Sequence, residues 1–241
     1  MPNVTINPTR DGKAYVTAQP TFLGAQGLAS GSVTVNPANS SPAFGVNFLA
    51  ARGGGTTTAL YRYFMYFNTS AYTTTKTNPK IEVYRYGSFS NDEPVIVKAQ
   101  NSTNGLQAFD GTGGRDLEAQ DYSRYSSNAS ERYYAGTHTF TSGWNTLALN
   151  DSASVAISES NAFCICVLDG PADYAVRQPG TLPTTTLTGF YGGTTGTYPI
   201  RLHFTSSVSG WAAGKFLGVE ATSIDKIIGV DRTDIDKVIG V

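Results

Sequence analysis

The chain is short of charge, cysteine, methionine and histidine. Only 15% of its 241 residues are Asp, Glu, Lys or Arg, against about 25% in an average globular domain. The 17 basic residues nearly balance the 18 acidic ones, leaving a formal net charge of −1. That balance argues against a nucleic-acid binder, which carries a basic excess or a basic face. No run approaches the ~18 consecutive apolar residues of a membrane-spanning helix, so no membrane partner is expected. The opening MPNVTI has no basic patch followed by an apolar stretch, so no secretory signal peptide is read there. The two cysteines, Cys164 and Cys166, stand in FCICVL. A strand would put both on one face, where a disulfide between them would be strained. They read as small buried strand residues, and only His138 and His203 could join them around a metal.

What the chain does have is Thr, Ser, Gly and Asn in place of charge, and 12% aromatic residues, enough apolar surface to build a core. Helix formers are scarce and β formers abundant. Composition divides the sequence into three stretches. Residues 1–45 are rich in Gly, Pro, Ser and Asn, with short β-like pieces at 14–17 and 32–35. Residues 46–208 hold the strong strand signals at 59–67 (ALYRYFMYF), 80–86 (KIEVYRY), 94–99 (PVIVKA), 137–140, 145–149, 153–157, 162–168, 187–191 and 199–204. Short strands separated by turn signals at such spacing are the pattern of a β-sandwich or jelly roll. Residues 101–132 form a long polar excursion between strands.

Residues 209–241 are of another kind. Aligned on lysine they read AGKFLGVEATS, IDKIIGVDRTD and IDKVIGV, a period of 11 residues. Lys215, Lys226 and Lys237 recur, as do the repeat-turn glycines Gly218, Gly229 and Gly240, and Val219, Val230 and Val241. A Gly in every unit argues against one continuous helix. The spacing is read as a single helical turn per unit, with Ser223 and Asp234 as N-caps and each Gly as a left-handed stop. Such a turn cannot bury its own apolar face and needs stacked neighbours along the chain or from another subunit. The expected assembly contacts are Phe216, Leu217, Val219, Ile224, Ile227, Ile228, Val230, Ile235, Val238, Ile239 and Val241. Folding back of the tail onto its own sandwich is the other reading.

No constellation for catalysis stands out. Gly-x-Ser-x-Gly, HExxH and phosphate-binding Gly loops are all missing, and both histidines lie in strand-like runs. The chain is therefore read as not an enzyme, with no cofactor. Asp110, Asp116, Asp121 and Asp169 are the loop carboxylates that a structural Ca²⁺ would use, although no Asp-x-Asp-x-Asp-Gly loop is present. Binding has better candidates. In 61–67, Tyr61, Tyr63, Met65 and Phe67 alternate with Arg62, Phe64 and Tyr66. One set must be core; the other, with Tyr84 and Tyr86, is an aromatic surface or further packing. Tyr63, Tyr84, Tyr86 and Trp144 are thus the candidate glycan-binding residues.

The stretches YRYFMYFNTS (61–70), GWNTLALN (143–150) and FYGGTTGTYPIRLHF (190–204) together are similar to the jelly-roll module of DNRLRE-like and related carbohydrate-binding-like domains. Asn68 stands where that family more often has Asp. The tail resembles the I-x-K-h-x-G-V repeats at the C-termini of many tailed-bacteriophage virion proteins. The resemblances imply a jelly-roll-type antiparallel β-sandwich (46–208), preceded by an N-terminal arm with the first strands (1–45) and followed by an assembly tail of single helical turns (209–241). They further imply a virion structural protein made in a host cytoplasm: a head decoration or fibre, or a tail-associated component. Its partners would be other virion proteins and sister copies, with host-surface glycan as the alternative ligand.

Overall fold

The computed structural model describes residues 3–19, 33–37, 43–50, 56–72, 75–85, 93–99, 117–159, 162–175, 188–191 and 197–206, together with strand residues 215–216, 219–220, 226–227 and 230–231 of the tail. The main body is an all-β antiparallel sandwich. Its strands are β1 (Asn3–Ile6), β2 (Arg10–Gln19), β3 (Thr34–Pro37), β4 (Ala43–Ala50), β5 (Thr56–Asn68), β6 (Lys76–Arg85), β7 (Pro94–Lys98), β8 (Arg132–Ala135), β9 (Gly143–Ala148), β10 (Ala162–Asp169), β11 (Thr188–Tyr191) and β12 (Arg201–Ser206).

One layer runs β9-β6-β12-β1. The other centres on the long β5, with β2 along one edge and β4 then β10 along the other, and continues through β7 to β8. Short β11 pairs with β4 through Thr188 and Gly189 and with β6 through Phe190 and Tyr191. It is the corner at which one layer passes into the other. The sheets draw on the first 45 residues as well as on the central stretch, since β1 and β2 are paired along their lengths.

Alternation decides what lies between the layers. Ile81, Val83, Leu147, Leu202 and Phe204 from one sheet meet Tyr63, Met65, Phe67, Phe163, Ile165 and Val167 from the other in a single buried cluster. The even-numbered positions 58–66 of β5 and 164–168 of β10 are buried too. Phe64, Tyr66, Cys164, Cys166 and Leu168 form a second cluster on the outer side of that sheet, closed over by Leu117 and Tyr122. A strand covered on both faces reads as a near-continuous apolar run, which is why AFCICVLD carries no polar residue before Asp169. The cysteines are free and buried.

Three expectations are corrected here. Residues 153–157 form no strand. They lie in helix α1 (Asp151–Glu159), whose start is fixed by Asn150, its side chain accepting from the Ala153 N–H at 3.1 Å. Val155 and Ile157 look β-like, but Ala153 and Ile157, four apart, face the core. Residues 137–140 are irregular, and the neighbouring strand is β8 instead.

The tail's helical turns are the third correction. Lys215–Phe216 (β13) pairs with Val219–Glu220 (β14), and Lys226–Ile227 (β15) with Val230–Asp231 (β16), as two small antiparallel ladders separate from the main sheet. Each position in the second ladder is 11 residues beyond its counterpart in the first. Lys stands opposite an acid in both, Lys215 to Glu220 and Lys226 to Asp231, and an apolar residue stands opposite Val. Opposed pairs of that kind favour a hairpin, and β-branched side chains lose rotamer freedom in a helix.

Candidate functional site

The outward side chains of β9, β6, β12 and β1 compose one continuous face. Register sets its rows: Trp144 beside Tyr84; Thr146, Glu82 and Arg201; Ala148, Lys80, His203 and Thr5. Their inward neighbours Leu147, Ile81, Val83, Leu202 and Phe204 are buried, so the period-2 alternation forces this set outward.

At one end of the face the aromatic rings cluster. Tyr84 meets Trp144 edge-on, centroids 5.4 Å apart at 87°, and stacks on Tyr198 at 3.8 Å. The guanidinium of Arg201 lies 4.3 Å from the centroid of Trp144. Trp144 remains 37% exposed, so part of the indole is open to solvent even with three neighbours around it. Arg201 and Tyr84 fix its orientation by a cation–π and an edge contact, arrangements that aromatic quadrupoles favour.

Next to the rings the face is polar and internally paired. Glu82 Oε2 accepts from Arg201 Nη1 and from His203 Nε2, each at 3.2 Å. A carboxylate only accepts, so His203 Nε2 donates to it, and Nδ1 lies within hydrogen-bond distance of the Thr5 hydroxyl at 2.9 Å. Beyond the imidazole a recess of about 310 Å³ is lined by Asn3, Val4, Asn78, Lys80, His203, Phe204 and Thr205. Asn78 holds φ at 52° there, a left-handed conformation that Asn tolerates better than most residues. The ladder between β12 and β6 slips between His203 and Thr205; such a bulge bends the strand and opens the sheet locally.

The candidate glycan residues separate. Trp144 and Tyr84 come together in the aromatic cluster. Tyr63 does not join them: it is buried between the sheets and its hydroxyl donates to Asp11, because the odd positions of β5 face the opposing layer. Tyr86 lies outside the described residues. The sequence reading missed Tyr198, Arg201, Glu82, His203 and Lys80, although the alternation in RLHF and KIEVY marks four of them as outward.

The chain matches no protein-family model and no curated protein.

Of the tail contacts, Phe216, Val219, Ile227 and Val230 lie in the small ladders. Leu217, Ile224, Ile228, Ile235, Val238, Ile239, Val241 and the three repeat glycines fall outside the described residues. Among the Ca²⁺ candidates, Asp121 is occupied within a 3-10 turn (Ala119–Ser123): its Oδ2 accepts the Glu118 N–H at 2.9 Å, and Arg124 approaches Oδ1 at 3.3 Å. Asp169 is buried at the end of β10, and Asp110 and Asp116 are not described. Among the described residues no three acidic, His or Cys side chains gather as a metal set.

Proposed function

We propose that this chain is a non-enzymatic structural component of a phage particle, a head decoration or fibre or a tail-associated protein, joined to the particle or to sister copies through its C-terminal repeats. The observation that carries this reading is the tail: an 11-residue sequence period that is also a period of backbone pairing, with β13–β14 repeated as β15–β16. A two-stranded hairpin is marginal alone in water. Units so small need neighbours, and stacked repeats or symmetry-related chains supply them. The sandwich then serves as the rigid body that such an anchor would hold on the particle.

Deleting residues 212–241 tests the reading. The truncated chain is expected to fold and to be lost from purified particles, measured as copy number per virion by mass spectrometry. Unchanged incorporation would overturn it.

The sheet face favours a second role that is compatible with the first, attachment to host-surface glycan. An open indole held beside two tyrosines is the kind of surface on which sugar rings stack, with hydrogen-bonding groups alongside.

A further inference from the structure

We infer that the outer face of β9-β6-β12-β1 binds an acidic polysaccharide, with Trp144 stacking one pyranose ring and Lys80 taking the carboxylate of another. The inference rests on the attachment reading and gives it a ligand class.

Among the large apolar side chains of the described residues, Trp144 is one of the two that are exposed, and the other, Val155, stands on helix α1. The indole is held by Tyr84 and Arg201, so it presents a preset surface rather than a floppy one; ordering cost is thereby lowered. A sugar's axial C–H groups pack on such a face while its hydroxyls stay wet.

Charge selects among sugars. The face holds one carboxylate, Glu82, and it is already shared by Arg201 and His203. Lys80 points the same way, is exposed and has no ion-pair partner among the described residues. The one uncommitted charge among the described residues of the face is therefore positive, and it borders a recess where Asn3, Asn78, His203 and Thr205 offer hydrogen-bonding groups beside the apolar Val4 and Phe204. Lys80 lies four residues along β6 from Tyr84, about 13 Å at the usual strand rise. The aromatic end and the cationic end are too far apart for one sugar and suit successive units of a chain. The register shift beside Thr205 and the left-handed Asn78 both lie at this recess.

The test is affinity electrophoresis of the full chain in native gels containing polygalacturonate or neutral dextran, with melting curves as a folding control. The wild-type chain is expected to be retarded by polygalacturonate, less so as salt is raised, and little by dextran. Trp144→Ala should weaken binding at least about tenfold, since a lost stacking surface commonly has an effect of that order. Lys80→Gln should weaken it by about fivefold and flatten the salt dependence. Lys80 is exposed, so Lys80→Gln is expected to melt like the wild type, while Trp144→Ala gives up its ring contacts and is expected to melt somewhat lower yet remain folded at the temperature of the gel. Equal retardation by dextran and polygalacturonate, abolished by Trp144→Ala and indifferent to Lys80→Gln, would overturn the acidic ligand and leave the attachment reading standing. Retardation by neither polymer, or retardation that ignores Trp144→Ala, would overturn both.

Discussion

Arg62 is fully buried, yet it is a cation in the middle of ALYRYFMYF (59–67), a run of β5 that is otherwise aromatic and aliphatic. Its guanidinium donates through Nε and Nη2 to the two oxygens of Asp173, both at 2.7 Å, and through Nη1 to the Tyr122 carbonyl at 2.6 Å. Its Cζ lies 3.9 Å from the ring centroid of Tyr122 and 4.8 Å from that of Tyr125. Planar, bidentate pairing is what guanidinium does and ammonium cannot. The pair ties β5 to residues 60 and 111 positions away, stitching the outer layer down over the second core. A buried pair is costly to break because one charge is left without its partner, whereas replacing both members is often neutral. Asp173→Ala is therefore expected to destabilise by about 3–5 kcal/mol. The double variant Arg62→Met with Asp173→Leu should recover most of that loss. Denaturant unfolding midpoints would check this; equal losses in the two variants would mean that the second core, not the charge, dominates the site.

At the scale of elements, the π turn that follows β10 (Gly170–Tyr174) places Asp173 over Arg62. Its first residue, Gly170, donates its N–H to the Glu93 carbonyl at 2.8 Å, and a Cβ added there would fall 2.6 Å from that same oxygen. Backbone cannot yield cheaply at such a distance, so Gly170→Ala should push the turn away from β7 and slacken the ion pair. A loss of about 1–3 kcal/mol is expected, as for other overpacked sites, with faster hydrogen exchange at the Gly170 amide as the local readout; unchanged exchange would sink the account. Which elements were legible in the sequence follows the same logic. The runs KIEVYRY, PVIVKA and AFCICVLD revealed β6, β7 and β10, because alternation or unbroken apolarity reports burial directly. Residues 153–157 misled because propensity favours β while the Asn150 cap and the i, i+4 spacing of Ala153 and Ile157 favour helix. The sheet face was half legible: Trp144 and Tyr84 could be named, but their meeting depends on the β9–β6 register. Tyr63 failed as a surface residue because alternation alone cannot show that both faces of β5 are covered. Arg62 invited the opposite error, since a lone cation in an apolar strand looks outward until its distant partner is known.

For the whole molecule, the two cores share one sheet, so they should open together. Tyrosines report on this because they occur in both. Burial is the main cause that holds Tyr63, Tyr122 and Tyr133 above the ordinary tyrosine range, aided at Tyr63 by Asp11 and at Tyr133 by Glu131, and opposed at Tyr122 by Arg62. Tyr125 is pushed up to about 12, first by burial and then by Asp173. Tyr63 and Tyr133 belong to the core between the sheets; Tyr122 and Tyr125 line the outer one. In each case the folded-state pKa exceeds that of the unfolded chain, about 10. The native state then binds more protons in alkali, so the stabilisation is complete below pH 10 and is lost as pH rises through about 12 and beyond. Of the 14 tyrosines, the accessible ones should ionise near their ordinary value with the β-sheet circular dichroism intact. The buried ones should ionise in a second, later phase that coincides with loss of that signal, since a phenolate in either core has no adequate solvation. If tyrosinate absorbance reached its full value while the sheet signal persisted, the tyrosines of at least one core would be accessible to solvent, and the two-sided burial of β5 and β10 would be refuted.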